Sequence, residues 1–330
     1  MITIYTRQHQ QITDQPWSMD DDMPAGLVWV DLNSPSEAER QFVSQQLKID
    51  LPTPSEMEEI EASSRLYTEH GVMYLTTMVM SGSETPMPIE TELTIVQAPQ
   101  CLVTMRFAET RSLETFAYRI KRDPNLMTTP DEALISLLDA IIDRMADILE
   151  LIGRHVDDVS RQVFMRHEAE KGKVKRKARA RGLHDILSDI GRSGDMVHRV
   201  RDCLSNLLRL VAFISPIVTP RLHGEQLTYF RTLDRDLRSL SDHSQFLAHE
   251  ASFLLEATLG QINIEQNEII KIFTVASVAF LPPTMLASIW GMNFVHMPEL
   301  QTPWGYWLAL AIIFISGIIP IALFRRKGWI

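Results

Sequence analysis

Gly291-Met292-Asn293-Phe294-Val295-His296-Met297-Pro298-Glu299-Leu300 lies between two apolar runs, 272–290 and 304–324. The runs are 19 and 21 residues long, close to the ~20 that a helix needs to cross a ~30 Å hydrocarbon core. Neither contains Asp, Glu, Lys, Arg or His. Two closely spaced spans at the C-terminal end predict a membrane protein with a large soluble head.

Charge around the spans predicts their direction. Arg325, Arg326 and Lys327 follow the second run and Lys271 precedes the first, whereas 291–303 holds no Lys or Arg. The positive-inside rule puts the basic tail and the head in the cytoplasm and the loop outside. The opening Met1-Ile2-Thr3-Ile4-Tyr5-Thr6 has neither the basic nor the apolar region of a signal peptide, which agrees. Trp290, Phe294, Trp304, Tyr306, Trp307 and Trp329 mark the interfaces. The expected location is a bacterial inner membrane, multi-pass, with both termini cytoplasmic.

The 330 residues carry a net charge of −10, which argues against a nucleic-acid partner. The acid of the head has two readings: a reservoir that concentrates cations, or a solvated surface. Cys101 and Cys203 stand alone, without a CxxC or a His/Cys cluster, so neither a structural zinc site nor a disulfide framework is expected.

Residues 1–128 read as a mixed α/β domain, with β-rich runs at 3–5, 27–31, 72–80, 92–96 and 101–106. Asn33-Ser34-Pro35-Ser36-Glu37 and Thr53-Pro54-Ser55-Glu56 read as helix starts. Residues 129–223 read as long antiparallel helices with apolar positions at threes and fours, the second one broken by Pro216 and Pro220. A stalk helix over 224–271 meets no proline before Pro282 and passes into the first span, 272–290. The loop 291–303, the second span 304–324 and the basic tail 325–330 complete the expected layout. A stalk continuous with a membrane helix would couple a cytosolic event mechanically to the span.

The first span carries a polar stripe. Ile270, Thr274, Ser277, Leu281, Thr284 and Ser288 alternate by four and three, the a/d spacing of a left-handed bundle. Asn267, Asn263 and Glu256 continue close to it upstream. Two readings stand: the lining of a narrow wet pore, or close helix–helix packing through small hydroxyl residues. Pro282-Pro283 frees backbone carbonyls and bends the helix, as a hinge or as a tolerated kink. A pore needs a symmetric ring of copies, with Ile270 and Leu281 as apolar collars and Glu299 as an outer acidic ring.

Gly291-Met292-Asn293 after a first span, then Met297-Pro298-Glu299-Leu300, then a second span with a basic tail, resembles the CorA family of divalent cation channels. The resemblance extends to 262–267, to 269–273, to Phe280-Leu281-Pro282-Pro283-Thr284, and to Glu58-Glu59-Ile60-Glu61-Ala62-Ser63 in the head. It implies a homopentamer with an α+β cytosolic funnel domain, a long stalk helix and two C-terminal transmembrane helices. It implies a ring of Asn293 carbonyls that holds a hydrated ion, with Gly291 and Met292 shaping the turn. Thr284, Leu281 and Ile270 match pore positions, and Asn267 and Glu256 match its cytosolic continuation.

The resemblance also implies regulation by intracellular Mg²⁺ in some members. The stalk position used for this in one branch corresponds to Thr232, with Asp234 and Asp236 nearby. Glu56, Glu58, Glu59 and Glu61 are candidate sensing ligands or simply a solvated, capped helix start. Lys171, Lys173, Lys175, Arg176, Lys177, Arg179 and Arg181 crowd the tip between the first two long helices. They meet anionic headgroups, or form an exposed hairpin end.

The expected function is passive, potential-driven uptake of Mg²⁺, with Co²⁺ and Ni²⁺ also passing, and no cofactor beyond the ion as cargo and regulator. No P-loop, HExxH or nucleophile elbow is present, so an enzyme is not expected. Two alternatives remain: a zinc-transporting, ZntB-like relative, and a membrane-tethered signalling or enzymatic head.

Overall fold

The computed structural model describes residues 1–8, 11–59, 61–82, 88–171, 182–292 and 302–328. Seven strands form one sheet: β1 (Ile2–Gln8), β2 (Gln11–Pro16), β3 (Leu27–Asn33), β4 (Leu66–Glu69), β5 (Val72–Ser81), β6 (Ile89–Gln97) and β7 (Leu102–Arg106). Their order is β2-β1-β3-β7-β6-β5-β4. Among these described strands only β3 and β7 pair in parallel. The helices are α1 (Glu37–Leu47), α2 (Pro54–Met57), α3 (Ala62–Arg65), α4 (Arg111–Arg122), α5 (Pro130–Lys171), α6 (Leu183–Val218), α7 (Glu225–Trp290) and α8 (Gly305–Arg326). Contacts divide the chain into two compact units, Met1–Leu255 and Glu256–Ile330.

Strand alternation gives the sheet of the first unit two apolar faces. Ile2, Ile4, Val30, Leu32, Val103 and Met105 join one core with Val43 of α1, Leu51 and Met57. On the other face Trp29 stacks on Tyr5 at 4.1 Å and meets Phe116 of α4 edge-on at 4.9 Å. Helices α5 and α6 pack together over β5, β6 and β7 on that side. This three-layer arrangement buries a sheet that no single helix layer would cover.

Both expected helix starts are reciprocal caps. Ser36 Oγ accepts from the Glu39 amide at 3.2 Å, and Glu39 returns the bond to the Ser36 amide at 2.8 Å. Thr53 and Glu56 repeat the pattern. The second helix, α2, stops after four residues. Pro216 does not end α6, contrary to the sequence expectation: the helix runs to Val218. Leu210, Val211, Ile214 and Val218 around it are fully buried, and their packing offsets the ~3 kcal/mol of a helical proline. Strands β2 and β4 and helices α3 and α4 were not expected. Strand β2 buries only Ile12, so an edge strand leaves little apolar alternation to read.

A buried ion pair ties β3 to β7. Arg106 donates to Asp31 at 2.9 Å, and the side chains are 9% and 8% exposed. Thr104 Oγ1 donates to Asp31 at 2.7 Å and accepts from the Trp29 indole at 3.0 Å. Every member is thus held by another, the condition under which a buried pair is tolerated.

In the second unit α7 and α8 are each long and apolar enough to cross a membrane. They meet where a Cβ on Gly317 would lie 3.2 Å from Pro283 Cγ and 3.5 Å from the Ala279 carbonyl oxygen. Pro283 has no amide hydrogen to offer that carbonyl. A side chain at 317 would require Pro283 to give by a few tenths of an ångström, so the glycine favours the close small-residue contact that membrane helices use.

Asp31→Ala leaves Arg106 buried without its partner and is expected to cost about 3–5 kcal/mol, seen as a lower urea midpoint of the detergent-solubilised chain. Gly317→Leu is expected to cost about 1–3 kcal/mol through overpacking, seen as a lower thermal midpoint. An unchanged midpoint would mean that α7 and α8 part freely at this level.

Candidate functional site

The polar stripe lies on the side of α7 away from α8. At 3.6 residues per turn, Ile270, Thr274, Ser277, Leu281, Thr284 and Ser288 fall within an arc of roughly 80°. Ile272, Ala276, Ala279 and Pro283, which line the groove against α8, centre roughly half a turn away. Ile270 and Leu281 are 59% and 69% exposed. Ser277, Thr284 and Ser288 are exposed and Thr274 is half-buried. Glu256, Asn263 and Asn267 are exposed as well. The hydroxyl residues therefore are not what packs α7 against α8 within this chain.

Two stripe hydroxyls are oriented by their own helix. Thr274 Oγ1 donates to the Ile270 carbonyl at 2.8 Å, and Thr284 Oγ1 donates to the Phe280 carbonyl at 2.7 Å. A hydroxyl has one proton and two lone pairs. With the proton turned into the backbone, the outward side of both residues is an acceptor. At these two positions the surface can take hydrogen bonds from the water around a cation.

Helix α7 ends at Trp290. The Gly291 amide still reaches the Ala287 carbonyl at 2.9 Å, and the Met292 amide reaches Ile289 at 3.3 Å. Asn293 and Glu299 lie outside the described residues, as does the basic run 172–181; Lys171 closes α5.

The acids considered for sensing are dispersed. Glu56 holds the α2 cap: its carboxylate accepts from the Thr53 amide at 2.7 Å and hydroxyl at 2.9 Å. Those bonds hold its carboxyl below the ordinary range. Glu58, Glu59 and Glu61 are exposed. Asp234 takes a two-pronged contact from Arg238, both bonds 3.1 Å, and Asp236 is exposed. Thr232 donates to the Thr228 carbonyl at 3.1 Å. Among the described residues no three His, Cys, Asp or Glu side chains converge as a metal site.

Sequence reading missed a charged junction in the head. Arg119 of α4 bridges Asp139 at 2.9 Å and Asp143 at 2.6 Å on α5. Burial pushes the Asp139 carboxyl up, against the hydrogen bond from Tyr229 of α7. Three helices meet there, and only the i, i+4 spacing of the two aspartates signals it in the sequence. The role of Gly317 was missed too.

A family model described as CorA-like Mg2+ transporter protein matches residues 24–326. The chain is 33% identical over 316 residues to the magnesium transport protein CorA of Haemophilus ducreyi, covering 95% of this chain and 96% of that one. It is 32% identical over 330 residues to the magnesium transport protein CorA of Yersinia pseudotuberculosis, covering both completely. The complete structure of the CorA magnesium transporter from Methanocaldococcus jannaschii superimposes with a TM-score of 0.74 at 19% identity, covering 100% of this chain and 99% of that one. At that identity the superposition establishes the fold, and the full-length sequence matches establish the kinship: the chain belongs to the CorA family of Mg²⁺ transporter proteins.

Proposed function

We propose that the chain is the subunit of a channel-type magnesium transporter. Five copies surround a water-filled axis, each presenting the 270–288 stripe of α7. The observation that carries this reading is the placement of that stripe opposite α8, with the Thr274 and Thr284 protons turned inward. A face that carries four hydroxyls, two of them turned out as acceptors, has little use against lipid. Around an axis it can pass a hydrated cation from one ring of lone pairs to the next.

Magnesium gives up its waters reluctantly, so a conducting path must accept the hydrated ion. Asn293 of each copy forms the selectivity site, with Gly291 and Met292 setting the turn and Glu299 forming an acidic ring at the outer mouth. A neutral amide oxygen accepts from a first-shell water without holding the ion as a carboxylate would. Ile270 and Leu281 are the constrictions, and Asn263, Asn267 and Glu256 continue the path inward. Both termini face the cytoplasm of a bacterial inner membrane. The potential drives entry with ~4.6 kcal/mol for a double charge at 100 mV. Co²⁺ and Ni²⁺, carried as hydrated ions of the same charge, pass as well.

The ion is both cargo and regulator, and no resident cofactor is proposed. Because the described acids of one chain do not converge, Glu58, Glu59, Glu61 or Asp236 act as sensing ligands only with acids of a neighbouring copy. Glu56 and Asp234 are drawn in only by giving up their bonds to Thr53 and Arg238. The basic run 171–181 meets anionic headgroups. The magnesium relatives favour Mg²⁺ over the zinc-transporting alternative.

The test is flux across a panel of divalent cations in proteoliposomes, with and without a potential. Mg²⁺ entry that grows with an inside-negative potential is expected; zinc entry without Mg²⁺ entry overturns the reading. Asn293→Ala is expected to abolish Mg²⁺ flux while the oligomer keeps its size on a calibrated column. Unchanged flux would remove the selectivity role assigned to Asn293.

A further inference from the structure

The groove between α7 and α8 has a volume of about 720 Å³ and is lined by apolar residues, among them Ile272, Ala276 and Phe280 of α7 and Phe314, Ile318 and Ile321 of α8. It narrows where Gly317 meets Pro283. From Ile272 to Pro283 it runs roughly 16 Å at 1.5 Å per residue. Half of a ~30 Å hydrocarbon core is about 15 Å, so the groove spans one leaflet and stops near the midplane.

Its open end is basic. Arg325 follows Ile321 by four residues and shares its row on α8. Lys271 stands one turn before Val275, another lining residue, on α7. Both side chains are exposed, and neither has an ion-pair partner among the described residues. Two cations at the polar end of an apolar slot one leaflet deep match one ligand chemistry: a negatively charged headgroup joined to a hydrocarbon chain. We propose that this groove binds one acyl chain of an anionic phospholipid whose phosphate is held by Lys271 and Arg325. The site rests on the membrane placement of α7 and α8 and is independent of ion conduction.

The full-length protein is extracted in mild detergent, supplied with palmitoyl-oleoyl phosphatidylglycerol or phosphatidylcholine, and examined by native mass spectrometry. The wild type is expected to retain phosphatidylglycerol in preference to phosphatidylcholine. Lys271→Gln and Arg325→Gln are each expected to lower phosphatidylglycerol affinity about fivefold, the equivalent of one interfacial charge, and to leave phosphatidylcholine unchanged. Ala276→Phe fills the slot and is expected to reduce retention of both lipids. Equal retention of the two lipids by the wild type overturns the proposal, as does loss of neither lipid in Ala276→Phe. Absence of any adduct also overturns it. The two glutamine variants alter exposed side chains alone, so they decide the headgroup part even where the phenylalanine variant fails to assemble.

Discussion

The approach of α8 to α7 at Gly317 decides what the membrane unit can do. A helix has one circumference to distribute among neighbours. Here Ala279 and Pro283 face Gly317, and the polar stripe is left on the opposite arc. Prolines in the helix interior free carbonyls that lipid cannot satisfy. The Ala279 carbonyl lies on the side of α7 that faces Gly317 of α8. One small residue thus shelters the proline segment, orients the helix and frees the hydroxyl face. A larger side chain at 317 would disturb all three together.

The head rests on a comparable economy of placement. Strands β3 and β7 are far apart in sequence and pair in parallel at the middle of the sheet. The Asp31–Thr104–Arg106 network sits on that pair. A one-residue slip would move Asp31 into the apolar face shared by Val30 and Leu32. The buried charge therefore penalises the wrong register more than it strengthens the right one, a specificity role that buried polar groups fill in some proteins.

The spans and the face that the a/d stripe takes on α7 were legible because each rests on a local pattern: uninterrupted apolar length, and fours and threes of small polar residues. Helix caps at Ser36 and Thr53 were legible for the same reason. What failed to show depends on partners distant in sequence. Gly317 reads as one more small residue until Pro283 is beside it. Helix α4 offers Leu113, Phe116 and Ile120 at helical spacing, yet three arginines and a lysine share the same twelve residues. Pro216 reads as a break because its own cost is local, whereas the burial of Leu210, Val211, Ile214 and Val218 is not. Sequence left Glu56 open between ligand and cap; the bonds from Thr53 give it a structural task.

That task bears on how the head could respond to the ion. A divalent cation needs several oxygens converging at 2.0–2.6 Å. Within the described part of one chain, the carboxylates are committed to caps and guanidiniums or stand apart. A site assembled from two copies meets neither obstacle, because exposed acids on separate chains repel until an ion lies between them. In the proposed two-copy site the ion would hold neighbours together, and its loss would let them separate. In such an arrangement the acidity of the head is itself the spring. The net charge of −10 is a repulsion that a divalent cation bound between copies would offset, and α7 contributes residues to both units.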